Sequence, residues 1–325
     1  MIPSLVLTAG LATRLRPLSF VRAKAALPVA GDPLVCRILR SLAAAGVRDA
    51  VLNLHHLPHT ITRAVGDGSR LGLRVRYSWE VPVLGSAGGP KRALPLLFDE
   101  GVRPGAPQPF LIVNGDTLSD VDIASVVADH RAHRALVTMA VVPNTEPEKY
   151  GGVAVDGDGS VRGFVRRGSR EPSYHFFGVQ VADASAFATV PDDVPYETVA
   201  MLYPALIAAQ PGSVRAFRCA AEYLDIGTPA DYLRSSLSLA SREEGSLAGQ
   251  RCRIAVSARV EQSVLWDDVV VEDGAFLRDC VVTDGSVVPG DTSWHGVTIR
   301  RADGELAPGE RRVGELAIAS LEQSR

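Results

Sequence analysis

The sequence predicts an α/β protein with a Rossmann-like, mostly parallel sheet, followed by a short parallel β-helix. Two observations carry this prediction. Over residues 1–240, short apolar runs alternate with segments of helical spacing, which is typical of parallel strands joined by helices on both faces of a sheet. Over residues 250–300, apolar residues recur every six positions, which is typical of the coils of a β-helix.

The first strand is expected at Leu5–Thr8, at the start of the stretch LVLTAGLATRLRPLSFVRAKAALPV. A signal peptide is the alternative for this apolar opening, but it requires a positively charged region ahead of the apolar run. No Lys or Arg precedes Arg14, and Pro3 interrupts the run. We therefore expect a buried strand that leads into a loop, rather than a segment that is removed.

The later elements follow the same two patterns. Helical spacing covers Leu34–Ala45, which stops at Gly46, and Ile123–Arg134. The runs Val153–Val155 and Val161–Val165 flank DGDG, which is a hairpin signal. The remaining strands are expected at Ala50–Leu54, Leu73–Tyr77, Phe110–Val113, Leu136–Val142, Phe176–Val181 and Val214–Phe217.

A further helix is predicted in TPADYLRSSLSLA. Thr228 is a good N-cap, Pro229 takes the first helical position, and Asp231 completes a capping box. The small and polar residues of Ser241–Gly249 then predict a linker. These signals divide the chain into a first domain over residues 1–240, a β-helix over 250–300 and a tail over 301–325.

The predicted β-helix depends on two sets of apolar residues that recur every six positions, which we call columns, and on two Asp-Gly pairs that indicate corners between strands. Asp-Gly pairs stand at 273–274 and 284–285, where corners are expected, and the stretch is long enough for two or three coils. An antiparallel meander is the alternative. In the tail, GELAIASLEQSR is expected to form a short helix. The columns are Val264, Val270, Phe276, Val282 and Val288, and beside them Val269, Ala275, Val281 and Val287.

Composition and charge exclude several functional classes. The 325 residues carry a formal net charge of −3, so nothing in the overall charge favours nucleic acid or a membrane surface as a partner. No apolar run reaches the roughly 20 residues of a membrane span. The cysteines are too scattered for a disulfide framework or a zinc site, and they suit a cytoplasmic protein. They are Cys36, Cys219, Cys252 and Cys280.

The loop after the first strand carries the strongest chemical signal. The small residues of AGLAT, at 9–13, allow backbone N–H groups to approach a polyphosphate at the carboxyl edge of a parallel sheet. Arg14, Arg16 and Lys24 then supply positive charge for phosphate. Taken alone, this motif has a β-turn with solvated arginines as its alternative.

The stretch LTAGLATRLRPLSFVRAKAALPVAGDP resembles the signature of the sugar-phosphate nucleotidylyltransferases, in which a Gly-rich loop ending in Gly-Thr-Arg-Leu-x-Pro-Leu-Thr precedes Pro-Lys and Pro-Val. The stretches LGSAGGPKRAL, FLIVNGDTLSDVD, YGGVAVDGDGSVRGFVRRG and YLDIGTPADYL follow in the family's order. The chain departs from the signature at Ala9, Ala12 and Ala23. Of these, Ala12 restricts the φ and ψ values that the loop can adopt, because alanine disfavours positive φ and glycine does not.

The resemblance extends to the C-terminal region. SVLWDDVVVEDGAFLRDCVV resembles the left-handed β-helix of members that are like mannose-1-phosphate guanylyltransferases. N-acetylmuramate-1-phosphate uridylyltransferases are also similar over residues 1–230. The resemblance therefore implies a nucleotidyltransferase domain with an appended β-helix.

Two carboxylates suit a metal site. Asp116 follows the predicted strand Phe110–Val113, and Asp225 precedes the capped helix, so both are expected at an edge of the sheet. Mg²⁺ takes one or two carboxylates together with phosphate oxygens. The resemblance implies that these two residues are the metal ligands and that Mg²⁺ is the cofactor. Two groups of histidines, His55, His56 and His59 in a loop and His130 and His133 on a helix, are not expected to bind metal, because the helix pair lacks a third ligand nearby.

The resemblance also implies roles for the other site residues. Arg14 would hold the triphosphate and stabilise the leaving pyrophosphate, and Lys24 would contact the attacking phosphate or the α-phosphate. Asn114 would lie near the metal. The remaining binding residues are Ala9, Gly10, Thr13 and Gly88 for the nucleotide, and Gly151, Gly152, Gly178 and Arg167 for the sugar phosphate.

The implied partners are a nucleoside triphosphate and a sugar 1-phosphate, which would give a nucleotide-sugar and pyrophosphate. Guanylyl transfer to mannose or a related hexose or heptose is the first expectation, and uridylyl or thymidylyl transfer is the alternative. A relative without catalytic activity, which binds a nucleotide-sugar and regulates an enzyme, is the alternative from a different class. The face of a β-helix suits self-association, so a homo-oligomer is also expected, without a stated size.

One departure concerns the sugar. Arg166 stands where the family has a Glu that contacts sugar hydroxyls, and arginine accepts no hydrogen bond. The sugar is therefore expected to differ from the usual hexose, to carry an acidic group, or not to bind at all.

Overall fold

The computed structural model describes residues 2–103 and 105–322. The chain divides into two compact units, which we call the sheet unit and the β-helix unit. Within the described ranges, none of the helices combines the length and the apolar character that a membrane crossing requires. The predicted domain boundaries stay a prediction. The sheet unit comprises Met1–Gly10, Cys36–Pro58 and Val65–Leu224, and the β-helix unit comprises Leu11–Val35, His59–Ala64 and Asp225–Arg325.

Strands and helices alternate along the chain up to the β-helix, which confirms the α/β class. In chain order the elements are β1 Ser4–Leu7, β2 Pro28–Val29, β3 Asp32–Pro33, α1 Leu34–Ala44, β4 Asp49–Leu54, α2 Pro58–Val65, β5 Arg74–Trp79, α3 Gly85–Leu97, β6 Pro109–Asn114, β7 Thr117–Ser119, α4 Ile123–His133, β8 Val137–Pro143, β9 Gly152–Val155, β10 Val161–Val165, β11 Tyr174–Asp183, α5 Tyr203–Ala209, β12 Val214–Arg218, β13 Tyr223–Asp225 and α6 Pro229–Glu243.

The main sheet lies in the sheet unit, in the order β10-β9-β11-β6-β1-β4-β5, with β8 paired to β11 and to β12. Strands β6, β1, β4 and β5 are parallel to one another, and β12 is parallel to β8. Strand β11 runs antiparallel to both β6 and β8. Since Leu7 of β1 pairs with Asn114 of β6, these two parallel strands end side by side. A carboxyl edge of this kind is where α/β sheets bind ligands.

The core of the sheet unit explains why these strands form where they do. Leu5, Phe110 and Ile112 are fully buried and pack with Ala93 and Leu94 of α3. Each such side chain contributes about 1.5–3 kcal/mol when it leaves water. The apolar runs that predict these strands are therefore the runs that build the core.

The sequence predicts no helix or strand for residues 85–97, and it offers Gly88 only as a nucleotide-binding residue. The structure corrects this, because Gly85–Leu97 is a helix that contains Pro90 and Pro95. Proline and glycine both disfavour a helix interior, so the local signal is weak. Packing of Ala87, Ala93, Leu94 and Leu97 into the core stabilises the helix instead.

Helix α6 forms as the capping signals predict. The Thr228 hydroxyl accepts a hydrogen bond from the Asp231 N–H at 3.1 Å, and Pro229 takes the first turn. The hairpin of β9 and β10 is also confirmed, with Val155 opposite Val161. In its turn, Asp158 accepts a hydrogen bond from the Ser160 N–H at 2.9 Å.

The C-terminal region of the β-helix unit consists of stacked parallel strands. Arg253 pairs with Val270 and Val270 with Val287, so one coil spans seventeen residues. The strands are β14 Arg253–Ile254, β15 Arg259–Glu261, β16 Val264–Leu265, β17 Val270–Val271, β18 Phe276–Arg278, β19 Val281–Val282, β20 Val287–Val288, β21 Ser293–His295, β22 Val297–Arg301, β23 Arg311–Val313 and β24 Leu316–Ser320.

The seventeen-residue coil shows that the predicted six-residue period is wrong, and with it part of the two predicted columns. A seventeen-residue coil has two sides of six residues and one of five, so a strict six-residue period loses register. Val270 and Phe276 are only half-buried, and Val287 is 46% exposed. The residues that fill the interior are Leu265, Val269, Val271, Ala275, Leu277, Cys280, Val282, Val288 and Ile299.

The expected helix in GELAIASLEQSR is wrong. Leu316–Ser320 is strand β24, antiparallel to β22, with Ile299 opposite Ile318. Strand β22 ends the stack of parallel coils and offers unpaired backbone groups, which β24 satisfies. Residues 323–325 of this stretch lie outside the described residues.

Candidate functional site

The end of β1 in the sheet unit is fixed by the side chain of Asn53. The N–H groups of Thr8 and Ala9 donate to Asn53 Oδ1 at 2.6 and 3.3 Å, and the Thr8 hydroxyl donates to the Asn53 carbonyl. Asn53 lies on β4, the parallel neighbour of β1. This contact sets the direction in which the chain leaves the sheet toward Gly10.

Asn53 is in turn held by a buried acid. Its Nδ2 donates to Glu80 Oε1 at 2.8 Å, and the Leu84 N–H donates to Glu80 Oε2 at 2.8 Å. Glu80 is 1% exposed, and a Cβ placed at Gly89 would lie 2.6 Å from its Oε1. The network therefore links the ends of β1, β4 and β5 to α3. The sequence analysis missed Asn53 and Glu80, and the available signal was a carboxylate directly after a strand.

The end of β6 carries Asn114 and Asp116. A Cβ placed at Gly178 of β11 would lie 2.6 Å from Asn114 Nδ2, and Gly178 has φ +94°. Gly115 faces the end of β1, since its Cβ would lie 2.6 Å from the Leu7 carbonyl oxygen. Asp116 is half-buried and accepts a hydrogen bond from the Thr117 hydroxyl at 3.1 Å. The structure therefore brings Gly178 against Asn114 beside the end of β1, and Asp116 follows two residues later in the chain.

Gly88 and Gly152 occupy tightly packed positions. A Cβ at Gly88 would lie 2.8 Å from the Val194 carbonyl oxygen, and the Gly88 N–H donates to the Tyr196 carbonyl at 3.2 Å. A Cβ at Gly152 would lie 2.1 Å from Ser173 Oγ. Close packing therefore explains why glycine occupies both positions. The ligand contacts of Gly88 and Gly152 stay predictions.

Gly10 lies in open space, in contrast to those two. It is exposed, and no described atom lies within 4 Å of the position that a Cβ would take. The backbone there is accessible to a ligand, which is compatible with the predicted phosphate contact.

The predicted sugar region lies at the hairpin of β9 and β10. Gly151 is close to the backbone of Arg167, whose N lies 4.0 Å from a Cβ placed at Gly151. Arg166 and Arg167 are both exposed. This end of the hairpin therefore presents two guanidinium groups next to an accessible glycine.

An aromatic group backs this hairpin. The rings of Tyr150 and His175 lie 4.1 Å apart, and those of His175 and Tyr223 lie 5.0 Å apart. Burial, together with the nearby charge of Lys149, lowers the pKa of His175 to about 4. His175 is therefore neutral near pH 7 and acts as a packed ring.

The β-helix unit carries the basic residues of the loop. Thr13–Leu15 forms a short 3-10 helix, and Ala12 is its N-cap residue. Both Thr13 and Arg14 are exposed. Ala12 adopts φ 48°, so the residue that replaces the family glycine does take the conformation that glycine favours. An L-residue loses roughly 1–2 kcal/mol in this conformation.

Arg14 and Asp225 both point toward Gly227. A Cβ placed at Gly227 would lie 3.9 Å from Arg14 Nη1 and 3.5 Å from Asp225 Oδ2. It would also lie 3.3 Å from Oδ2 of Asp231, which accepts a hydrogen bond from the Thr228 hydroxyl. One guanidinium and two carboxylates therefore lie around Gly227, which has no side chain of its own. From the sequence, Asp231 is predicted only as part of the helix cap.

Each unit carries one of the two carboxylates that are predicted to hold the metal. In the described part of the chain, no group of three or more His, Cys, Asp or Glu side chains forms a ready metal cage. Asp116 in the sheet unit and Asp225 in the β-helix unit supply carboxylate oxygens, which are the ligands that Mg²⁺ prefers.

The His130 side chain is buried and contacts the Thr138 hydroxyl at 3.1 Å, and burial lowers the pKa of His130.

The family model described as nucleotidyl transferase matches residues 3–242. A mannose-1-phosphate guanylyltransferase of Mycobacterium tuberculosis is 28% identical over 306 residues, which cover 85% of this chain and 83% of that protein. A UTP–glucose-1-phosphate uridylyltransferase of Synechocystis is 26% identical over 291 residues, covering 84% and 73%.

Solved structures share the fold. HddC from Yersinia pseudotuberculosis, complexed with GMP-PN, superposes with a TM-score of 0.62 at 23% identity, covering 74% of this chain and all of that one. A putative glucose-1-phosphate thymidylyltransferase from Bacillus anthracis gives a TM-score of 0.63 at 17% identity, covering 74% and 95%.

Proposed function

Because the chain belongs to the nucleotidyl transferase family, we propose that it transfers a nucleotidyl group from a nucleoside triphosphate to a sugar 1-phosphate. The family match over residues 3–242 carries this proposal. An oxygen of the sugar phosphate forms a bond to the α-phosphorus, and the bond from that phosphorus to the β-bridging oxygen breaks, so that pyrophosphate leaves. No covalent intermediate on the protein is needed, and the protein contributes position and charge.

The basic residues are assigned to the phosphates. Arg14 binds the triphosphate and offsets the charge on the leaving pyrophosphate, which its place near Gly227 and Asp225 supports. Lys24 contacts the attacking phosphate or the α-phosphate. Ala9, Gly10 and Thr13 contribute their backbone to the nucleotide, and Gly88 contacts its base or ribose.

Asp116 and Asp225 would hold Mg²⁺, and Asn114 orients beside Asp116. When bound, Mg²⁺ neutralises charge on phosphate oxygens. Among the described residues, no group of three or more His, Cys, Asp or Glu side chains offers an all-protein metal cage. Mg²⁺ does not need such a cage, because it takes one or two carboxylates together with phosphate oxygens of the substrate.

For the sugar side, Gly151, Gly152 and Gly178 let the sugar approach the backbone, and Arg167 contacts its phosphate. Arginine can bind phosphate oxygens in a bidentate manner, which lysine cannot. Arg166 adds a second positive charge in the place of a hydrogen-bond acceptor, and it therefore favours a sugar with a further anionic or acceptor group.

Guanylyl transfer to mannose 1-phosphate is our first candidate for the reaction. The Mycobacterium tuberculosis relative, aligned over 85% of the chain, supports it. Uridylyl transfer to glucose 1-phosphate is the second candidate, supported by the Synechocystis relative. We also propose a cytoplasmic location, since all four cysteines are free thiols, and self-association through the β-helix.

Two substrate pairs separate the candidates. Purified protein with Mg²⁺ is incubated with GTP and mannose 1-phosphate, or with UTP and glucose 1-phosphate, and the nucleotide-sugar is identified by mass. We expect GDP-mannose as the dominant product. UDP-glucose alone would replace the first candidate by the second. Thermal stabilisation by a nucleotide-sugar with no product in either assay would favour the regulatory alternative.

The metal assignment is tested with matched carboxylate variants. Asp116→Asn and Asp225→Asn should each lower kcat by about 100-fold or more, because each removes a charged ligand. Asp158→Asn changes an exposed hairpin carboxylate that bonds only within its own turn, and it should leave kcat unchanged. Equal rates for all three variants would remove the metal role of Asp116 and Asp225.

A further inference from the structure

The segment that carries Lys24 is tied to the β-helix by Arg22. Arg22 Nε donates to Asp284 Oδ2 at 2.7 Å, and Arg22 Nη2 donates to Asp284 Oδ1 and to Asp267 Oδ2 at 2.6 Å each. The guanidinium also lies 5.4 Å from the ring centroid of Trp266. Its side chain is 15% exposed. One arginine therefore meets two carboxylates and an aromatic ring at once.

The two carboxylates are arranged by the coils themselves. Asp267 and Asp284 occupy equivalent positions on successive coils, since Leu265 pairs with Val282 just before them. The Asp267 N–H donates to Asp284 Oδ1 at 3.1 Å, and the Gly285 N–H donates to the Asp267 carbonyl at 3.0 Å. The Asp267 carboxylate itself accepts a hydrogen bond from the Gln250 N–H at 2.7 Å, so both acids have backbone partners other than Arg22. Burial opposes the charge of Arg22, but hydrogen bonds and the charges of Asp284 and Asp267 raise its pKa overall.

A second anchor holds the same segment after Lys24. The Tyr232 hydroxyl of α6 donates to the Pro28 carbonyl, and Trp266 Nε1 donates to the Tyr232 oxygen at 2.9 Å. Tyr232 and Trp266 are both 0% exposed. Trp266 thus contacts the anchors on both sides of Lys24. Between the anchors, Lys24–Ala26 forms a 3-10 turn, and the Ala23 N–H donates to the Thr60 hydroxyl at 3.2 Å.

We propose that this set of contacts, which we call the brace (Arg22, Tyr232, Trp266, Asp267 and Asp284), positions Lys24 for catalysis. The β-helix is then part of the machinery that places a phosphate-binding lysine, in addition to any role in self-association. Arg22 is a positioning residue that acts through Lys24. The inference deepens the proposed function, because it takes from it the role of Lys24 in phosphate binding.

The charge of Arg22 and its forked shape are both needed for this role. Lysine would supply one point charge, whereas the guanidinium reaches two carboxylates in fixed geometry. We expect kcat to fall at least tenfold in Arg22→Gln and by a smaller factor in Arg22→Lys. Asp284→Asn should resemble Arg22→Gln. The thermal midpoints of these variants should stay close to that of the unchanged protein, although their kcat values fall.

A double-mutant cycle separates positioning from general damage to the fold. If Arg22 acts through Lys24, Arg22→Gln should cost less than twofold when Lys24 is already Ala. Fully additive losses in this cycle would overturn the proposal. Arg74→Gln is the control, because Arg74 Nε donates to Asp49 Oδ1 at 2.6 Å where β4 and β5 begin, in the sheet unit and apart from the residues of the brace. Its kcat should equal that of the unchanged protein.

A readout without turnover keeps the brace testable if the proposed function fails. Amide hydrogen exchange is measured on Arg22→Gln and on the unchanged protein. The N–H groups of Ala26 and Leu27 bond within the turn at 2.8 and 3.2 Å, and we expect their exchange to accelerate at least tenfold. Amides of β1 should exchange as before. Unchanged exchange at Ala26 and Leu27 would show that Arg22 does not order the segment, whereas absent turnover in the unchanged protein would refute only the proposed function.

Discussion

The sheet unit and the β-helix unit hold their candidate site residues in different ways. In the sheet unit, buried hydrogen bonds from Asn53 fix the end of β1, and Gly178 closely contacts Asn114. In the β-helix unit, Arg14 lies on an exposed turn, and Arg22, two residues before Lys24, pairs with two partly exposed carboxylates.

This difference separates stability from activity. A buried polar group that loses its partner destabilises the fold, whereas a partly exposed ion pair contributes little to stability. Changes at the sheet-unit residues should therefore reduce both stability and turnover. Changes at the charged residues Arg14 and Arg22 of the β-helix unit should act mainly on turnover.

The largest effect is expected at Gly178. Gly178→Ala adds a Cβ within 2.6 Å of Asn114 Nδ2 at a residue with φ +94°, so we expect a loss of about 3 kcal/mol in unfolding free energy and at least tenfold in kcat. The control is Gly163→Ala on β10, where no described atom lies within 4 Å of the added carbon. Chemical denaturation and steady-state rates measure both. A Gly178→Ala protein as stable as Gly163→Ala would break the comparison.

Asn53→Ala should give the next largest effect. It leaves two backbone donors and the buried Glu80 carboxylate without their amide partner, which should reduce the unfolding free energy by about 2 kcal/mol and also lower kcat. Ser4→Ala on β1 removes a single hydroxyl bond to the Asp49 carbonyl and should change stability by less than about 1 kcal/mol. Denaturation that gives equal values for the two variants would show that the Asn53 network is not the main support of the loop.

Ala12→Gly tests the backbone of the β-helix unit. Glycine relieves the cost of φ 48°, and we expect the unfolding free energy to rise by about 1 kcal/mol, with kcat equal to or above that of the unchanged protein. The same exchange inside a helix should have the opposite sign, so Ala128→Gly, at an exposed position of α4, should lower the unfolding free energy by about 1 kcal/mol. Thermal unfolding distinguishes the two signs, and a loss of stability in Ala12→Gly would contradict the strain at this turn.

The smallest effect concerns pH. The folded protein holds the pKa of His175 at about 4, while the unfolded chain takes up the proton near pH 6.5. The stabilising contribution of neutral His175 is therefore complete above pH 6.5 and is lost as pH falls toward 4. His175→Gln should show a shallower loss of thermal midpoint between pH 7 and pH 4. His59→Gln, at an exposed position, should retain the original slope, and equal slopes in both variants would exclude His175 as a source of the dependence.

The fold was predictable where one local pattern decides the element. Apolar runs gave the strands of the main sheet, and the capping residues gave α6. Helix α3 was not predictable, because Pro90 and Pro95 argue against a helix that tertiary packing stabilises. Strand β24 depends on a partner, β22, whose free edge no local pattern reveals.

The site was predictable to a different extent. The motif order singled out Arg14 and Asp225, and the structure brings both to Gly227. Asn53 and Glu80 stayed hidden because their role depends on three strand ends that lie together only in the folded sheet. Arg22 stayed hidden for a similar reason, since its partners lie more than two hundred residues later in the chain.

The most direct test of the central claim is pyrophosphate release by the purified, unmodified protein with Mg²⁺. The assay covers each common nucleoside triphosphate against mannose, glucose, heptose, N-acetylmuramate and uronic acid 1-phosphates. The account predicts one dominant substrate pair, with GTP and mannose 1-phosphate as the first candidate. Release in no combination, by a protein that still binds nucleotide-sugars, would contradict it.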